Sequence, residues 1–543
     1  MTGRDRWRAY VSLALLVAAL IVPFPLAMGM IATAGAARLA VGVRRRILVA
    51  RGMRAAAAGR GRSVRLGQDL RGAAVTLSDQ QLAAHALLVG ASGAGKSTTM
   101  LTILAGHIRE GRPVVAIDMK GSPGFARQLA AAAAGAGREL RIWTPDGPNQ
   151  WNPLAHGNAT ALKDMLISTE RFSEPHYQRA AERYLQTAFT VLHAIHPQRP
   201  AQLHEVVAVM EPPRLAARLR EAPPGLAERV GDYLGGLTPD QESAVRGLGT
   251  RLALLSESSA GRYLAPGARA DGHNVDLREA LEGGDVVLMS LNSGVYGKLG
   301  AQLGALAIQA LTSAAGYRLQ ADGQSGAAVP ATVAIDEFSA LGADNVLSLL
   351  ARGRESGVTM LVATQELSDL ERAGRGFRDQ VMGIVGVTIA HRQDVHSSAT
   401  MISQTAGTEW VWDVTQTLRG LFARPGAVRG TRRLVERPVL PANQIKSLGV
   451  GEAMLLTKLP TAHLTWVQVT PPFTPLHAAA SEQRRPQPSR AAGIGAAVSR
   501  APARALPADA ATPRPPAAGP PTAGSASPGR REPPDQAAPG VTR

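Results

Sequence analysis

Gly90-Ala91-Ser92-Gly93-Ala94-Gly95-Lys96-Ser97 puts three glycines, a lysine and two hydroxyls into eight residues. This is the spacing G-x-x-x-x-G-K-[ST], whose chemistry is the cradling of phosphates. Glycines let the backbone curl until its amides point inward, and a helix starting at the lysine adds its dipole. Lys96 would reach the β- and γ-phosphates of ATP, and Ser97 would ligate Mg²⁺. Residues Gly90, Ala91, Ser92, Gly93, Ala94, Gly95, Lys96, Ser97 and Thr98 are therefore the candidate nucleotide contacts. The partner such a loop needs is an apolar strand ending in acid, and Thr332-Val333-Ala334-Ile335-Asp336-Glu337 has that form. Asp336 is the second candidate magnesium ligand, and Glu337 is placed to orient and deprotonate water. A third strand ends Val362-Ala363-Thr364-Gln365, where Gln365 would sense the γ-phosphate or position water. Asp118 and Lys120, just past another apolar run, either join that water network or simply turn the chain.

These residues need strands to carry them, and short apolar runs supply the strands. Strands are expected at residues 86–89, 114–117 and 140–143, with a helix from Lys96 to about Arg109. Runs at 286–290, 332–335, 358–363 and 384–390 continue the pattern, and a last pair is expected at 453–456 and 464–469. Such runs alternating with helices point to a largely parallel sheet covered on both faces. Helical patterns dominate 157–270 instead, at 161–166, 176–195 and 203–210, so an all-helical insertion is expected there. Residues 48–75, basic and rich in Gly and Ala, read as a linker. The expected fold is α/β: a RecA-like P-loop ATPase with a largely parallel sheet, an inserted all-helical domain and an N-terminal transmembrane segment. The expected domains are an anchor over 1–47, a nucleotide-binding domain in two parts over 48–156 and 271–480, the insertion over 157–270, and a tail over 481–543.

The anchor rests on 29 uncharged residues between positions 9 and 37, flanked by arginines on both sides. Pro23 and Pro25 near its middle allow one kinked span or a short hairpin. The cluster Arg44-Arg45-Arg46 should keep the long remainder cytoplasmic. The tail has 13 of the chain's 37 prolines, nine arginines and no aromatic residue, too little apolar surface to offset chain entropy. The absence of cysteine excludes disulfides, thiolate metal sites and thiol catalysis. A net charge of +17, nearly all arginine, suits a polyanionic partner without requiring one.

Small kinases and most GTPases place the acidic strand much closer to the phosphate loop than the 240 positions between Lys96 and Asp336. The signature L-S-G-G-Q and the guanine-reading N-K-x-D are absent. A RecA-like motor ATPase on a membrane anchor remains, and such motors work as rings because a neighbour supplies an arginine. Arg352, Arg354 and Arg378 are the candidates for that arginine.

The chain resembles the type IV coupling proteins of conjugation and type IV secretion, the VirD4/TraG/TraD group. The resemblance is carried by the loop at 90–97, residues 114–121, Trp151-Asn152-Pro153-Leu154, Asp336-Glu337-Phe338, residues 351–358, Ala363-Thr364-Gln365 and the Ser403–Gly407 stretch. It implies a homo-hexamer in the bacterial inner membrane, with its main domain cytoplasmic and in contact with membrane lipid. It also implies delivery of a relaxase-bound single strand of DNA, or of proteins, to a type IV secretion channel. The apolar run is short for the family's usual two spans. The alternatives are a double-stranded-DNA translocase of the chromosome-partitioning type and an ATP-binding membrane scaffold that recruits secretion substrates.

Overall fold

The central strands are buried along their whole length, which for continuous apolar runs requires cover on both faces. The computed structural model describes residues 62–264, 274–325, 329–416 and 430–472, apart from 171 and 173. The expected anchor at 1–47, the tail at 481–543 and the end of the insertion at 265–270 lie outside the described residues. Among the described residues, no helix is long and apolar enough to cross a membrane.

The strands, in chain order, are β1 (Ser63–Gln68), β2 (Ala74–Ser78), β3 (Ala86–Val89), β4 (Val114–Asp118), β5 (Leu140–Trp143), β6 (Gln150–Trp151) and β7 (Asn274–Val275). They continue with β8 (Val286–Ser290), β9 (Ala331–Asp336), β10 (Val358–Thr364), β11 (Val387–Ala390), β12 (Thr408–Gln416), β13 (Gly430–Pro438), β14 (Glu452–Thr457) and β15 (His463–Val469). One sheet takes the order β2-β1-β15-β14-β11-β3-β10-β9-β4-β8-β5. From β11 to β5 every neighbour is parallel, and the four strands at the other end are antiparallel. The mixed, mostly parallel sheet with helical insertions is the α/β architecture expected from the sequence.

Alternate residues of each central strand feed two different cores, as the period of two demands. Leu88, Ala116, Ala334 and Leu361 pack with Met100, Leu104 and Ile108 of the helix Lys96–Arg109, and with Phe125 and Leu129 of the helix Pro123–Gly135. Leu87, Val115, Val333 and Val362 face the other way, toward Leu306 and Leu349. That second core runs without a break into the helices between 159 and 256, through Leu162, Tyr184, Phe189 and Leu252. Trp143 and Trp151 meet edge to face at 5.4 Å where the two regions join. Each fully buried Leu, Ile or Val contributes about 1.5–3 kcal/mol.

Two expectations need correction, and one element is new. The linker reading of 48–75 fails from Ser63 onward, because β1 and β2 form a hairpin there. Val64 and Leu66 are buried, and a Cβ on Gly106 would lie 2.8 Å from Val64, so the hairpin seats against a gap in the helix Lys96–Arg109. The strand expected over 384–390 starts at Val387, since Ile384 ends the helix Phe377–Ile384. Gly386 passes so close to Ala84 that a Cβ would sit 2.5 Å from its methyl, and pairing with β3 begins only after that contact. The ribbon β12–β13 was not expected at all. Its large apolar residues point outward, Trp410 being 66% exposed and Trp412 62%, so the pattern does not read as a core strand.

Candidate active site

The register of four neighbouring strands brings the chemistry together. Thr364 of β10 pairs with Val89 of β3, Ala363 with Asp336 of β9, and Asp336 with Asp118 of β4. The loop at 90–97, Gln365, the Asp336-Glu337 pair and Lys120 therefore all leave the same carboxyl edge of the sheet, the edge at which open α/β sheets bind ligands.

The loop is shaped by glycine where glycine is needed. Gly93 and Gly95 have φ of +73° and +117°. A Cβ on Gly90 would lie 2.6 Å from the Cβ of His391, and one on Gly95 would lie 3.2 Å from the Gly451 backbone. The loop is pinned from outside: Ala91 N–H donates to Arg392 O at 2.8 Å, and Gly451 N–H donates to Ala94 O at 3.0 Å. His391 is completely buried beneath it. Its Nδ1 lies 2.9 Å from the Glu452 carbonyl, which can only accept, so Nδ1 carries the proton and Nε2 faces Thr99 Oγ1 at 2.9 Å. Burial, helped by the nearby Lys96 charge, pushes the imidazole down to about 4, so it supports the loop as a neutral ring.

Lys96 is buried and folds its ammonium back onto Gly90 O and, at 3.1 Å, Ala91 O. Burial lowers its pKa, Lys120 lowers it further, and Asp336 and Glu337 oppose both. No side chain caps the helix that begins at Lys96, whose N-cap is Gly95. Its first-turn amides, with the lysine once released from those carbonyls, could donate to phosphates. Ser97 Oγ donates to Asp336 Oδ2 at 3.4 Å, which puts a hydroxyl and a carboxylate beside one another as hard oxygen ligands. Among the described residues, no group of three or more His, Asp or Glu could hold a metal by itself. A magnesium ion at Ser97 and Asp336 would need phosphate oxygens to complete its shell, which is the usual habit of Mg²⁺. These residues fit ATP and Mg²⁺.

Glu337 adopts φ +63°, a left-handed conformation unusual for a residue with a side chain. Such strain, of the order of 1 kcal/mol or more, persists only where the surroundings over-determine it. Gln365 Nε2 donates to Glu337 Oε2 at 3.1 Å, and Ser339 Oγ to Oε1 at 3.1 Å. Glu337, Ser339, Gln365, Asp369 and Arg372 line an open cleft of about 450 Å³.

The three expected arginines are not gathered here within one chain. Arg352 and Arg354 lie ahead of β10, beside His85 and Leu350 at the amino end of the sheet. The seven residues of β10 span about 23 Å from there to the carboxyl edge. Arg378 pairs with its neighbour Asp379 at 2.9 Å. Sequence reasoning passed over His391, Ser339 and Arg372, and gave Lys120 no firm place. Lys120 Nζ in fact donates to Asp336 Oδ1 and Oδ2 at 3.0 and 3.1 Å. The one available signal was the position of Lys120 just past a strand, which means little until β4 is known to lie beside β9.

Residues 330–449, from the start of β9 to the turn before β14, match the family model described as the TraM recognition site of TraD and TraG. Among the curated proteins, none matches the chain. Among solved structures, the unbound monoclinic form of the bacterial conjugative coupling protein TrwBdeltaN70 superposes with a TM-score of 0.55 at 15% identity, covering 76% of this chain and 89% of that one. The plasmid coupling protein TrwB with the non-hydrolysable GTP analogue GDPNP gives 0.52 at 15% identity, covering 73% and 88%. The same protein with ADP and Mg²⁺ gives 0.52 at 14% identity, covering 73% and 87%. Likeness at these identities shows the fold. The chain thus shares the fold of the conjugative coupling proteins over about three quarters of its length, and its segment from 330 to 449 resembles the TraD and TraG family model.

Proposed function

We propose that the chain is a motor ATPase that couples ATP hydrolysis to conjugative transfer, passing DNA or protein substrates to a type IV secretion channel. The observation that carries this reading is the convergence of Lys96, Ser97, Asp336, Glu337 and Gln365 on one sheet edge. TrwB structures hold ADP with Mg²⁺ or a GTP analogue, which supports nucleotide at the matching site here.

In this reading Lys96 and the first-turn amides bind the phosphates, and Ser97 and Asp336 hold the magnesium. The metal, when bound, draws off charge that develops on the phosphate oxygens. Glu337, kept in place by Gln365 and Ser339, orients a water and accepts its proton. Gln365 joins the base to the end of β10, so movement of Glu337 reaches that strand directly. Arg352, Arg354 or Arg378 would serve a neighbour's site in a hexamer, since none reaches Glu337 within its own chain. The anchor at 1–47 would hold the ring at the inner membrane with the main domain cytoplasmic, and a relaxase-bound single strand is the proposed cargo.

The test is ATP hydrolysis by the full chain in detergent, followed against oligomer size with single-stranded and duplex DNA. Hydrolysis should be confined to the ring, about a thousandfold above the monomer if an arginine acts in trans, and raised further by single strands. Stimulation by duplex alone would favour a double-stranded-DNA translocase. Negligible turnover in the assembled ring with either DNA would leave only a scaffold that binds ATP.

A further inference from the structure

Lys120 is held at the site by more than its own side chain. It follows β4 by two residues, and Asp118 closes the turn by accepting Lys120 N–H at 2.9 Å and Ser122 N–H at 2.6 Å. Gly121, at φ +63°, lets the turn press on Asn292, where a Cβ would come within 2.5 Å. Ser293 N–H, from the residue after Asn292, donates to Met119 O at 2.7 Å. The backbone is thus fixed, and only the lysine stem can move. That stem brings Nζ to 3.0 and 3.1 Å from the two oxygens of Asp336 and to 3.6 Å from Glu337 Oε2. Asp336 is almost fully buried, while the Lys120 side chain is 36% exposed and has room to withdraw.

We propose that Lys120 is the resident counter-ion of the site: its ammonium neutralises Asp336 until a divalent cation displaces it. This rests on the active-site reading above. Ser97 Oγ and Lys120 Nζ approach the same carboxylate, so a magnesium ion held by Ser97 and Asp336 must take the place of the ammonium. Two cations on one carboxylate repel strongly in a partly desolvated cleft. Loading Mg²⁺ with nucleotide therefore frees Lys120, and the empty site avoids leaving Asp336 and Glu337 without a counter-charge.

The experiment is a titration of MgCl₂ into the full chain in detergent with N-methylanthraniloyl-ADP, reading nucleotide fluorescence. Removing a competitor in a partly exposed ion pair should lower the half-saturating Mg²⁺ by about fivefold in Lys120→Met, with Lys120→Gln behaving alike and Lys120→Arg close to the parent. A second reading is thermal melting, where both neutral variants should melt lower than the parent without nucleotide or metal and recover on adding ADP with Mg²⁺. Unchanged or raised half-saturating Mg²⁺ in both neutral variants, with normal nucleotide binding, would overturn the counter-ion role alone. A parent chain that binds no nucleotide, or a Lys96→Ala chain that binds it normally, would overturn the active-site reading and this inference with it.

Discussion

Glu337→Gln is expected to bind ATP within about twofold of the parent and to hydrolyse it about a thousandfold more slowly, the middle of the range for losing a general base. The split follows from the geometry. The groups proposed to bind the phosphates, Lys96 and the uncapped first turn, belong to the loop after β3. The Glu337 carboxylate belongs to the turn after β9 and is tied to Gln365 and Ser339. Glutamine keeps the size of the side chain and one carbonyl oxygen for those donors, so the strained backbone at φ +63° is not released by loss of packing. It cannot accept a proton from water at neutral pH. Single-turnover hydrolysis and equilibrium binding of a fluorescent ATP analogue, measured on the same preparation, separate the two effects. Hydrolysis within tenfold of the parent would assign the base to another residue, and Asp336 would be the first to examine.

Lys96→Ala should have the opposite signature, with loss of binding of about a hundredfold, the worth of a charge-assisted contact near 3 kcal/mol. Hydrolysis should fall at least as far. The variant should nonetheless fold as well as the parent. The ammonium is buried against two carbonyls, Gly90 O and Ala91 O, and burial lowers its pKa. A charge held at such a cost contributes little to stability. The melting temperature without nucleotide should therefore be unchanged or higher, while the rise normally caused by ATP with Mg²⁺ should vanish. A large fall in melting temperature of the empty protein would instead make Lys96 a structural residue.

How much of this was legible in the sequence depended on whether the signal was local. The helix Lys96–Arg109 and the strand Ala86–Val89 occur where the loop motif and the apolar run place them, because a doubly covered parallel strand is written as an unbroken apolar run. The strand at 286–290 was legible for the same reason. Strand order was not legible, since nothing local says that β9 lies between β10 and β4. Lys120 and Asp336, 216 positions apart, meet only through that order. His391 was invisible for a related reason: a single histidine past an apolar strand carries no mark of the loop it supports. The outward tryptophans of β12 hid a strand by reversing the usual inside-outside pattern. Arg352 and Arg354 could be named from sequence, but their distance from Glu337 appears only once β10 is seen to run away from them.

The claim on which the rest depends is that Ser97 and Asp336 share one magnesium ion beside the phosphates. Ser97→Cys tests it directly, because the chain has no cysteine and the introduced thiol is unique. A thiolate binds Mg²⁺ poorly and softer cations well. Hydrolysis by Ser97→Cys should fall at least tenfold with Mg²⁺, whose preference is for oxygen ligands, and recover substantially with Cd²⁺ or Mn²⁺, while the parent shows no such gain. Full activity of Ser97→Cys with Mg²⁺, or equal loss with all three metals, would contradict the shared site.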